Sequence, residues 1–378
     1  MRVRPLAAVV LTLLATGSWS ALGAAPQTTQ PAQTSQPGVV RSEFIYDTGP
    51  YPQVHASTLV ETASGQLLAA WFGGTEEGHA DVSIWLARYE SGRWSSGVKV
   101  ADGVQDASKR FPTWNPVLFQ PRGAPLMLFY KVGPSPREWW GMVITSTDDG
   151  RTWSAPRRLP EGILGPIKNK PEQLADGTIV SGSSTEAVQG DAWRVHVERS
   201  RDGGQSWEKV AIGDGGFNAI QPGILQHADG RLQLLCRSKE GHVPTTWSSD
   251  GGRTWGPLAK SDLFGVNSGL DAVTLRDGRH LLVYNYRDRP GGVPENYRPE
   301  TLTGIRNPPT GQRARWPLVV SVSRDGIAWA RAVTLESEPI KDGYAYPAIV
   351  QTRDGKVHVT YTFNREKIKH VVIDPAKL

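Results

Sequence analysis

The chain has 378 residues, among them 41 Gly, 28 Pro, 14 Trp and one cysteine. The single Cys236 excludes an intramolecular disulfide framework and any cysteine-rich zinc or iron–sulfur centre. A formal charge of +5, which falls by two if Arg2 and Arg4 are removed, is too small and too evenly spread to argue for nucleic acid.

Residues 1–24 read as a secretory leader: Arg2 and Arg4 open it, Leu6 to Ala15 is apolar, and Ala21, Gly23 and Ala24 suit cleavage. The apolar run is about half the ~20 residues a bilayer needs, so no membrane span is expected. The reading places the protein outside the cytoplasm, secreted or periplasmic. Residues 25–38, rich in Pro, Gln and Thr, read as a disordered spacer. A folded domain is expected over 39–378.

Within that domain a unit of strand, Gly turn and strand recurs six times. It begins at His55, Asn115, Lys170, Gln221, Leu270 and Tyr346. The fifth interval is longer because residues 287–314 form a polar, Arg-rich insertion. A second pattern runs out of phase with the first: Ser146-Thr-Asp-Asp-Gly-Arg-Thr-Trp153, Ser200 to Trp207, Ser248 to Trp255 and the shortened Ser323 to Trp329. An Asp can accept from turn amides, Gly supplies positive φ, and Trp covers the turn. Strand, Gly turn, two more strands, Asp turn and a fourth strand is the plan of a propeller blade. The sequence thus predicts an all-β, six-bladed β-propeller with four-stranded blades. The sixth unit ends one strand short, and Ser42–Asp47 is expected to supply the missing strand and close the ring. A closed ring hides its sheet edges, so a monomer is expected. No phosphate loop, dinucleotide fingerprint or metal-ligand spacing is present, so no cofactor or metal is expected.

The Asp turns resemble the Asp boxes, or BNR repeats, of the sialidase superfamily, and the likeness covers roughly residues 42–374. It implies a central active site with three arginines on a substrate carboxylate, an Asp acid/base, and a Tyr nucleophile paired with a Glu. Carried across, the nucleophile falls on Tyr346 in Gly343-Tyr344-Ala345-Tyr346-Pro347, with Tyr344 a near second. One arginine falls on Arg315, and another on Arg237. The acid loop falls on Thr75-Glu76-Glu77-Gly78-His79-Ala80-Asp81, which offers Glu77, or Glu76, in place of Asp. His55 stands where the family has its first arginine, and Gln221 where it has the Glu partner of the tyrosine.

Read from the residues alone, the first positions of the repeats ring the central funnel. His55, Asn115, Lys170, Gln221, Asp271 and Tyr346 would there touch a ligand or bond neighbouring blades. Lys168 and Lys170 could hold a carboxylate or sulfate. Glu186 is a candidate acid or a partner for Arg194. Arg137-Glu-Trp-Trp140 offers aromatic stacking surface, and His370 reads as core or edge. The expected function is an exo-acting glycoside hydrolase removing a terminal acidic sugar, with Tyr346 as nucleophile and Glu77 or Glu76 as acid/base. Arg315, Arg237 and the lysines would clamp the carboxylate, with His55 replacing the lost arginine. The alternatives are a lyase acting on a uronic-acid polymer, with His55 or Tyr346 as base, and a non-catalytic carbohydrate-binding propeller.

Overall fold

In a computed structural model the described residues are 36–302 and 311–378. The expected leader and most of the spacer lie outside them, as does Arg306 of the insertion. Six antiparallel sheets follow one another along the chain. The inner strands are Gln53–Glu61, Thr113–Phe119, Glu172–Gln173, Ala219–Gln226, Asp271–Thr274 and Tyr344–Gln351. Each leads through a tight turn into a second strand, then a third and, in most blades, a fourth. The fourth blade is reduced: its sheet has three strands, and a lone bridge between Thr245 and Ala259 marks where the outer strand would run. Among the described residues the only helices are three short 3-10 turns, and none is long and apolar enough to cross a membrane.

The first strand of the fold, Val39–Phe44, pairs antiparallel with Lys367–Ile373 and becomes the outer strand of the sixth blade. It lies slightly N-terminal of the expected Ser42–Asp47, because Gly38 turns the chain early and Ile45 adds a last bond to Ile368. Arg353 ties the sixth blade to the first. Its guanidinium donates to the carbonyls of Thr62 and Ala63, and its amide donates to Glu61. Arg122 ties the second blade to the third in the same way, and Arg276 the fifth to the sixth.

The apolar core is divided into six clusters, each filling one wedge between neighbouring blades. This follows from the strand pattern: a strand in the middle of a blade is covered on both faces, so Leu126–Val132 is apolar and buried almost throughout.

The four Asp turns follow the third strands of their blades, at the end away from Tyr346. In the second of them, Ser200 Oγ accepts from Gly204 N at 2.8 Å and donates to Asp202 at 2.8 Å. Asp202 then accepts from Gln205 N and Ser206 N. Trp207, Trp255 and Trp329 each donate to their turn's Gly carbonyl at 3.1 Å. In the first turn Arg88 takes the Gly150 carbonyl instead, and Trp153 Nε1 is left buried without a partner.

Candidate active site

Four inner strands open on the same irregularity. Pairing breaks over two residues at the head of the first, second, fourth and sixth blades. There Ala56, Asn115, Gln221 and Tyr346 take left-handed φ values of 55°, 33°, 55° and 51°. Backbone strain of this kind in non-glycine residues persists only where the surroundings impose it, and it aims the side chains toward the axis. The equivalence places Ala56, not His55, at the position of Asn115, Gln221 and Tyr346. His55 is one residue earlier.

Its ring nevertheless reaches the centre. His55 lies 4.1 Å, centroid to centroid, from the Tyr346 ring. Its Nδ1 is 3.1 Å from Thr362 Oγ1. Burial, reinforced by Arg365, Arg315, Arg237 and Lys168, holds its pKa well below the ordinary value. His55 is therefore a neutral imidazole and cannot replace the missing arginine as a cation. A cation does stand near His55: Arg365, in the turn between Val357–Phe363 and Lys367–Ile373.

Two donors converge on the Tyr346 hydroxyl: Arg237 Nη1 at 2.6 Å and Gln221 Nε2 at 3.1 Å. Arg237 is held in turn by Asn267 at 2.6 Å and lies over the Trp193 ring. With both bonds accepted, the phenol proton is left to point elsewhere in the pocket. Tyr344 is turned away, donating to the Glu338 carbonyl.

Arg315 completes the cluster. Burial, aided by Arg365 and Arg237 and opposed by Tyr346 and Glu77, lowers its pKa to about 10, so it stays charged at neutral pH. Its guanidinium has no hydrogen bond or ion pair among the described residues. Arg287 shapes the approach to it, donating to the carbonyls of Gly292, Ala314 and Trp316 and folding the insertion back on itself. Glu77 is ion-paired with Arg365. Glu76 is exposed, and its carboxyl has no partner among the described residues.

Other expected residues sit elsewhere. Lys168 is 3% exposed and donates to Asn169, to the Leu270 carbonyl and to the Pro347 carbonyl. Burial lowers its pKa to about 7. Lys170 is paired with Asp271 at 3.2 Å, and Asp271 also accepts from Ile349 N at 2.9 Å. These three groups thus bond the third, fifth and sixth blades across the channel. Arg194 pairs with exposed Asp214 rather than with Glu186, because Arg194 points to the outside of its strand. Glu186 is raised by burial and lowered less by Arg237. His370 is fully buried, between Glu43 and His358. Among the described residues no group of three His, Cys, Asp or Glu side chains is placed to hold a metal.

The described residues thus form a six-bladed propeller whose central pocket sets arginines around a tyrosine. Residues 65–359 match the BNR repeat-like domain, and the chain belongs to that family. No curated protein matches the sequence. Among solved structures it is similar to a protein of unknown function from Dyadobacter fermentans, at 17% identity and a TM-score of 0.68, over 88% of this chain and 98% of that one. It is similar to a Hadza microbial sialidase, at 16% identity and a TM-score of 0.70, over 89% and 68%. It is also similar to the intramolecular trans-sialidase of Ruminococcus gnavus, at 13% identity and a TM-score of 0.64, over 89% and 97%.

Proposed function

We propose that the protein is a secreted glycoside hydrolase that removes a terminal sugar bearing a carboxylate. The observation that carries this reading is the Tyr346 hydroxyl, held by Arg237 at 2.6 Å beside the unpaired guanidinium of Arg315. Two arginines and the nearby Arg365 suit an anionic substituent, which planar guanidinium groups bind bidentately. A neutral phenol can approach an anionic sugar without the repulsion a carboxylate nucleophile would meet. Gln221 cannot take its proton.

Glu77 acts as the general acid. A substrate carboxylate competes for Arg365, and when it succeeds Glu77, released from its ion pair, takes a proton from solvent and passes it to the leaving oxygen. Lys168, Lys170 and Asp271 have structural roles in this reading.

The test is release of reducing sugar from a panel of sialosides, 3-deoxy-octulosonate glycosides and uronosides by the wild type and by Tyr346→Phe. Release that Tyr346→Phe abolishes supports the reading. The contact between neutral His55 and Tyr346 also suits a lyase, in which one of them removes the C5 proton of a uronate. Ultraviolet absorbance of an unsaturated product, lost in His55→Ala, would establish elimination instead.

A further inference from the structure

Beside the Tyr346 pocket, on the same face, a cleft of about 240 Å³ runs between the second and third blades. Its inner end is Glu186, whose carboxyl lies in the field of Arg237, the group that holds the Tyr346 hydroxyl. Its wall is Trp139 and Trp140. Trp139 packs edge-on against Trp114, with centroids 5.9 Å apart. Trp114 in turn lies beneath Gly78, next to Glu77. The cleft thus adjoins the loop of Glu77 across the packed rings of Trp139 and Trp114.

Its outer part carries Arg158 and Lys209. Among the described residues neither has a carboxylate partner. Arg158 lies over the Trp140 ring, 4.8 Å from its centroid. A guanidinium stacked in this way keeps its in-plane N–H groups free for an oxyanion. Glu161 is at the rim, exposed, and opposes these charges only weakly.

We propose that this cleft binds the sugar on the leaving-group side of the scissile bond, and that it favours one bearing a sulfate or carboxylate. The indoles offer apolar faces to C–H patches, and Arg158 and Lys209 meet the anion. The proposal rests on the central pocket being the site of the terminal sugar.

The test measures binding by calorimetry, without turnover. The probes are N-acetyllactosamine, its 6-sulfo derivative and cellobiouronic acid, which are neutral, sulfated and carboxylated respectively. At least one acidic disaccharide should bind about tenfold more tightly than the neutral one. The acid that does so identifies the anion. The preference should vanish in Arg158→Gln/Lys209→Gln and persist in Arg315→Gln. Equal binding of all three probes would overturn the proposal. So would a preference that Arg315→Gln removes and the double variant keeps, because the anion would then be sitting in the central pocket. A preference located in the cleft, with no sugar released from any acidic glycoside, would support an anion-binding cleft and remove the hydrolase reading instead.

Discussion

The guanidinium of Arg237 lies 2.6 Å from the hydroxyl of Tyr346, although the two residues are two blades apart. Where the sialidase pattern has a carboxylate beside the tyrosine, this chain has an amide, Gln221, which shares Arg237 with it at 3.3 Å. The pair defines the centre of the pocket. Arg237→Met should lower kcat/KM by at least about a hundredfold, with Tyr346→Phe lowering kcat at least as much. Steady-state kinetics on whichever acidic glycoside is cleaved checks this, and equal rates for Arg237→Met and wild type would remove Arg237 from the site.

Arg365 and Glu77 form an ion pair that the substrate is expected to break. Arg365→Gln should raise KM, since a clamp residue is lost. Glu77→Gln should lower kcat by about a hundredfold or more if Glu77 is the acid of the proposed mechanism. A double variant that is no worse than Glu77→Gln alone would mean Arg365 acts only by holding Glu77.

Arg365 is also where the sequence is least legible. Nothing local marks it: it lies in an ordinary turn, and it reaches His55 only because the ring closes. On sequence, the place of the lost first-blade arginine falls to His55, and the lowered pKa of His55 is what turns attention to Arg365. The six repeats and the closing strand were legible because apolar strands and Gly turns are local patterns. The fate of Lys168 and Lys170 was not. Their use inside the channel depends on Leu270, Asp271 and Pro347, all distant in sequence.

Lys168 should leave a signature in the pH dependence of stability. Its folded pKa is about 7, against an ordinary value of 10.5. Between these values the unfolded chain binds the proton and the folded chain does not, so stability rises with pH across that window. Lys131, buried and also lowered to about 7, adds the same slope. Denaturant unfolding at pH 7 and pH 9 should therefore show a gain that Lys168→Met reduces and does not abolish. A gain unchanged in Lys168→Met would show that the amine is not held away from water.

The Asp turns stand at the far end of the blades, so their loss should be felt in stability alone. Ser200→Ala removes the acceptor of the buried Gly204 N–H and should cost about 1–3 kcal/mol. Turnover by the folded fraction should be that of the wild type. A changed kcat would tie the turn to the pocket.

Removing residues 36–47 should leave Lys367–Ile373 as an open edge. Such a strand invites pairing with another chain, so the truncated protein should melt earlier and aggregate on warming, by light scattering.

The pairing of Val39–Phe44 with Lys367–Ile373 joins nearly the first described residues to nearly the last. The hairpin that accepts this strand also carries Arg365. A chain interrupted anywhere before that hairpin lacks both the closed ring and the third cation of the pocket. Closure of the ring and placement of the Arg365 cation beside His55 are in this way the same event.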